Sequence, residues 1–233
     1  NLTVNAWDLY ANASKTAAMS AGVAALHQGN ANLNITNNGD IVGLASTSLN
    51  RNFSALDSAN LFEDYDSGND PIQSVTVAYG ITVGHSGTGD IVITNHGNTT
   101  SEAVNSGDVS INAYGIGGDY GMLTVNTGAI GVAAHHSGTG AITITNDGSI
   151  HSTATNNGTL SLQADEWVDE ATVHSTATAV GIKAVHTGNG SITIHNSGDI
   201  ETVATIRNPI SISAYDIHAS GAHSDAVSAG IQA

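Results

Sequence analysis

Four histidines, His27, His85, His136 and His186, fall at one position of a recurring sequence pattern. Imidazole ligates metals, changes charge between about pH 5 and 8, and hydrogen-bonds backbone groups. At a repeated position it reads either as a corner residue bonded to main chain or as a pH-sensitive ladder. Carboxylates offer a second chemistry. The stretch RNFSALDSANLFEDYDSGNDPIQ, residues 51–73, carries five acids and opens an insert loop assigned to 51–74. Within it, EDYDSGND places Asp64, Asp66 and Asp70 as candidate oxygen ligands for calcium. The spacing lacks the glycine at position six and the distal Glu of an EF-hand, so a solvated loop is the competing reading. A second acidic segment, ADEWVDE at 164–170, surrounds Trp167. Trp7, Tyr114 and Tyr215 each follow an alanine in a further motif, where Asp165 takes the fourth place. They read as a stripe for carbohydrate or lateral packing, or as plain corner packing.

Catalysis has little to draw on. Only Lys15, Arg51, Lys183 and Arg207 are basic, and they are scattered. Neither a G-x-S-x-G elbow nor a phosphate loop is present. A carboxylate pair of the glycosidase kind stays open as a lesser alternative. The expectation is a protein that is not an enzyme and has no assured cofactor, calcium being the one candidate.

The elements that position these residues are legible in GIKAVHTGNGSITIHNSGDI, residues 181–200, where small or apolar residues alternate with polar ones throughout. The segment recurs at 22–41, 80–99 and 131–150, with starting glycines Gly22, Gly80, Gly131, Gly181 and Gly230 spaced 58, 51, 50 and 49 residues apart. A period of two argues for strands, and a long fixed interval for a solenoid. Helix formers are scarce, which removes the helical repeats. A second motif, LTVNAW, VSINAY, LSLQAD and ISISAY, recurs at a similar interval. Each period then reads as two related coils of about 25 residues in a parallel β-helix. On that count the chain makes some nine coils, a rod on the order of 45 Å long, with neighbouring repeat histidines roughly 10 Å apart. Asn37, Asn95, Asn146 and Asn196 sit on the inward parity before an x-Gly corner, where their amides can bond to main chain and to one another.

Composition bounds the partners. Apolar residues make up 40% but aromatics only 4%, so the core must be aliphatic. Four basic residues against twenty acidic ones give a net charge of −16. That excludes nucleic acid, whose binding depends on cationic side chains, and disfavours anionic membranes. Cysteine is absent, and no apolar run reaches the roughly 18–20 residues of a membrane span. The chain reads as one module, 1–233, of a longer or polymerised protein.

The pattern G-I-x-x-x-x-x-G-x-G-x-I-x-I-x-N-x-G-x-I resembles the passenger repeats of bacterial autotransporters and of filamentous-haemagglutinin-like adhesins. The resemblance implies a right-handed parallel β-helix, on a Gram-negative cell surface or in secreted fibres. The expected function is that of an extracellular structural or adhesive module. Its expected partners are further copies stacked head to tail, a host or neighbouring cell surface, or glycans. A carbohydrate- or calcium-binding module is the alternative, and a polysaccharide-degrading enzyme a more distant one.

Overall fold

The computed structural model describes residues 1–233 apart from 8, 12–13, 62–71, 118–121, 170 and 219. Alternating Ile or Val with Thr or Ser suits strands, because β-branched side chains fit a pleated surface with one face buried. Among the described residues there are only strands and turns, arranged in four parallel sheets. Sheet I holds Leu33–Asn37, Ile91–Asn95, Ile142–Asn146 and Ile192–Asn196. Sheet II holds Ile41–Thr47, Thr99–Asn105, Ile150–Asn156 and Ile200–Ile206. Sheet III is built on Leu2–Ala6, Arg51–Ala55, Val109–Gly117, Leu160–Asp169 and Ile210–Ser213, with short strands beside them. Sheet IV contains the long strands Ser14–His27, Ile72–His85, Met122–His136, Thr172–His186 and Gly221–Gln232.

The chain visits sheets I to IV in the same order in each period. Register is set one full period apart. Asn37 pairs with Asn95, Asn95 with Asn146 and Asn146 with Asn196, separations of 58, 51 and 50 residues. The expectation of two coils per repeat is therefore corrected: two coils would pair strands half a period apart. One period instead contributes one layer to every sheet. The second motif is not another coil but the sheet III wall of the same layer. The stack is five strands deep in sheet IV, about 20 Å between its outer strands, and not the nine-coil rod. Parallel strands stacked in this way are consistent with a parallel β-helix or solenoid.

Sheet IV faces the other three. Its C-terminal half packs Ile81, Val83, Val132 and Ile182 against Ile91, Ile93, Ile142 and Ile144 of sheet I. Its middle sets Ala78, Ala129 and Ala179 against Ala45, Ala103 and Ala154 of sheet II. Its N-terminal part places Ile72, Leu123 and Val173 against Phe53, Ile111 and Leu162 of sheet III. The alanine waist brings the walls close together. Gly80, Gly131 and Gly181 continue that approach, since a Cβ on any of them would collide with Thr99, Ile150 or Ile200 of sheet II.

The departure from the repeat is shorter than the sequence implies. Arg51–Ala55 and Ser58–Leu61 are regular strands of sheet III. Arg51 hides the motif, standing where Val109 and Leu160 stand in the next layers. Its Nη1 donates to the Gln73 carbonyl at 3.0 Å, and burial lowers the guanidinium to about 10. Asp64, Asp66 and Asp70 lie outside the described residues.

Candidate functional site

The repeat histidines close the corner from sheet IV to sheet I. Each sits at the end of a long strand, two residues before a glycine. Nδ1 of His85, His136 and His186 accepts the N–H of Gly87, Gly138 and Gly188 at 2.9, 2.9 and 3.1 Å. Nε2 reaches back one layer to the carbonyls of Ala31, Gly89 and Gly140 at 2.9, 2.7 and 2.7 Å. A carbonyl only accepts and an amide N–H only donates, so this geometry specifies the Nε2–H tautomer. His85 and His136 are fully buried. The rings lie one strand spacing apart, with centroids 4.9, 4.8 and 4.9 Å from one another along the column. This corrects the 10 Å expectation and follows directly from one layer per period. Both nitrogens of these three rings are occupied by main chain, which is the corner reading of this position.

Asparagine does the same work at the next corner. Asn37, Asn95 and Asn146 pass amide hydrogen bonds up the stack to Asn95, Asn146 and Asn196 at 2.7, 2.6 and 2.7 Å. Asn37 Oδ1 also accepts the Gly39 N–H at 3.2 Å, and Asn146 and Asn196 donate to the carbonyls of Gly148 and Gly198 at 2.7 Å. The corner from sheet II to sheet III uses Asn105, whose Oδ1 accepts Gly107 N–H at 3.2 Å. It is tied across the core, where Asn105 donates to Ser74 at 2.7 Å and Asn156 to Ser175 at 3.1 Å. That second asparagine position was missed from sequence, although its N-x-G signal is present at 105–107 and 156–158. Three corners thus share one device, a polar side chain bonded to the glycine two residues on, seen at His136, Asn146 and Asn105, although at the third corner Thr47 and Ile206 replace the asparagine in the outer layers and no glycine follows.

The fourth corner, from sheet III to sheet IV, does not follow it. Leu2–Ala6 and Arg51–Ala55 end on an alanine, Val109–Gly117 and Leu160–Asp169 run on past Ala113 and Ala164 with a register shift, and Ala214 follows Ile210–Ser213; in every layer the residue after that alanine is exposed. Trp7 is 69% exposed and Tyr215 90%, with Leu56 and Tyr114 also open to solvent. Main-chain bonds still connect the layers here: Asp57 N–H donates to Trp7 O at 2.9 Å and Gly115 N–H to Asp57 O at 3.1 Å. Gly115 pairs with Trp167, and the indole occupies the space a Cβ at Gly115 would take. Tyr114 lies among carboxylates. The charge of Glu166 raises its phenol above the usual tyrosine range first, followed by partial desolvation, a hydrogen bond to Glu166, and the charges of Asp57 and Asp165. The structure therefore brings Trp7, Tyr114 and Trp167 to one edge, beside Asp57, Asp165 and Glu166.

The remaining histidines form no second column of four, but spacing did not reveal one stacked pair. His174 pairs with His223, their ring centroids 4.9 Å apart. Exposed pairs join His96 to Asp147 at 2.9 Å, His151 to Glu201 at 3.1 Å and His218 to Asp216 at 2.8 Å. A hydrogen bond from Ser197, with the His96 bond and charge added against partial desolvation, holds the Asp147 carboxyl below its usual value. That contribution to stability is present above the ordinary carboxylate range and lost as pH falls through the lowered value. Among the described residues no group of three His, Asp or Glu side chains is arranged to hold a metal ion. No family model, no curated protein and no solved structure matches this chain.

Proposed function

We propose that the chain is a rigid extracellular module, a right-handed parallel β-helix serving as a structural or adhesive segment of a bacterial surface or secreted protein. The observation that carries this reading is the use made of its polar side chains. Imidazoles and amides that elsewhere bind metal or activate substrate are here bonded to main chain and to their own counterparts in adjoining layers. Such columns stiffen a stack along its axis, because each layer is held mainly by its neighbours. The acidic surface, with four basic residues in the whole chain, supports a solvated exterior, and the resemblance of the repeat to autotransporter and haemagglutinin-like passengers supports export.

Antibodies raised against the purified chain are expected to label intact cells of the organism that makes it, and protease added outside the cells is expected to abolish the signal. Labelling that appears only after permeabilisation would overturn the extracellular assignment.

A further inference from the structure

The four corners of each layer differ in chemistry as well as geometry. Among the described residues, register brings together at the fourth corner Trp7, Asp57, Gly115, Trp167 and Asp216, with Leu56, Tyr114, Asp165, Glu166 and Tyr215 beside them. They include four of the ten aromatic residues of the chain, Trp7, Tyr114, Trp167 and Tyr215, together with the acids Asp57, Asp165, Glu166 and Asp216, and none of its four Lys and Arg residues. Both tryptophans are among them. The aromatics described there are not core: Trp7, Tyr114, Trp167 and Tyr215 are 69%, 47%, 36% and 90% exposed. Exposed π surface and negative charge are thus gathered on one edge, in register from layer to layer through Trp7, Asp57, Gly115 and Trp167.

We propose that this edge is a docking surface for a cationic, extended polypeptide, whose arginine or lysine side chains stack on Trp7, Tyr114, Trp167 and Tyr215 and pair with Asp57, Asp165 and Glu166. Charge complementarity selects this occupant. Guanidinium and ammonium groups are drawn to aromatic faces and to carboxylates, and this edge presents both. The stack repeats them at each strand spacing, about 4.8 Å, so a chain with many charges meets a fresh carboxylate or ring at each layer. A neutral glycan would use the rings but leave the concentrated negative charge unanswered. This deepens the adhesive reading above and rests on it; surface labelling tests location and the titration below tests the edge, so either can fail alone.

The experiment is a titration of the purified chain with a dye-labelled arginine octapeptide, read by anisotropy and by intrinsic tryptophan emission. Because both tryptophans lie on this edge, the emission reports its occupancy without any substitution. Binding is expected to shift that emission and to weaken with added salt. The pair Asp165→Asn with Glu166→Gln, and separately Tyr114→Ser with Tyr215→Ser, are each expected to weaken binding by about tenfold. The charge-matched pair Glu102→Gln with Asp225→Asn, exposed elsewhere, is expected to change it less than about twofold. Equal weakening by both charge-removing pairs would reduce the interaction to net charge and overturn the proposal. So would unchanged tryptophan emission at saturation, or binding of a neutral β-1,4-linked glucose hexamer in place of the peptide.

Discussion

His136 holds two backbone groups that belong to different layers, the N–H of Gly138 in its own and the carbonyl of Gly89 in the one before. Its ring is fully buried, so those groups have no water to turn to if it is replaced. His136→Phe keeps a flat ring in the column and removes both bonds. The expected loss is about 2–4 kcal/mol, since each buried group left unsatisfied costs about 1–3 kcal/mol. His195, exposed on the outer face of sheet I, is the contrast, and His195→Ala is expected to change stability by less than about 0.5 kcal/mol. Urea unfolding of the two variants checks the difference. The role of His136 was half legible in the sequence. H-x-G at a strand end already reads as a corner, because the ring sits within reach of the amide two residues on. The second bond was not legible, because its partner lies 47 residues away and is fixed by register alone.

At the scale of the strand and its corner, glycine separates two physical demands. A Cβ on Gly138 would collide with the carbonyl of Gly87 in the neighbouring layer, whereas a Cβ on Gly128 would meet nothing nearer than Val77 at 3.8 Å. Both glycines belong to the same turn of chain, one at the corner and one on the outer face of sheet IV. Gly138→Ala is expected to cost at least about 2 kcal/mol by forcing the layers apart. Gly128→Ala is expected to stabilise the fold by about 0.4–1 kcal/mol by restricting the unfolded chain. Thermal melts of the two proteins, compared with the parent, check both signs. The strands themselves were open to reading from alternation alone, and three of the four corners from H-x-G and N-x-G. The exception is Arg51–Ala55: a charged residue in an inward column concealed a regular strand of sheet III. The edge carrying Trp7, Tyr114 and Trp167 was visible only as scattered aromatics. What gathers them is the stacking of layers, which no local pattern encodes.

For the whole molecule, the decisive quantity is how much chain makes one layer. Local rules set where the chain turns but not how many turns bring it back over itself. That closure is decided by hydrogen bonds between residues a full period apart, as in Ile93 with Ile144 and Ile144 with Ile194. Two half-period coils and one full-period layer therefore predict the same strands and corners but opposite responses to deletion. Removing residues 131–180 joins Ile130 to Gly181 and takes out one complete layer. Each sheet then loses one strand, and the column from His85 continues at His186. The shortened chain is expected to fold with an unchanged strand signature in circular dichroism, to melt cooperatively, and to be shorter in solution scattering by about 4.8 Å. Removing only residues 131–155 excises one of the two supposed coils and would be harmless if they existed. In the observed register it removes the sheet I strand and nearly all of the sheet II strand of that layer and runs Ile130 straight into the sheet III strand, so apolar and polar columns no longer meet their counterparts. That shorter deletion is expected to abolish the cooperative melt. If it folds as well as the full-period deletion does, the one-layer register is wrong.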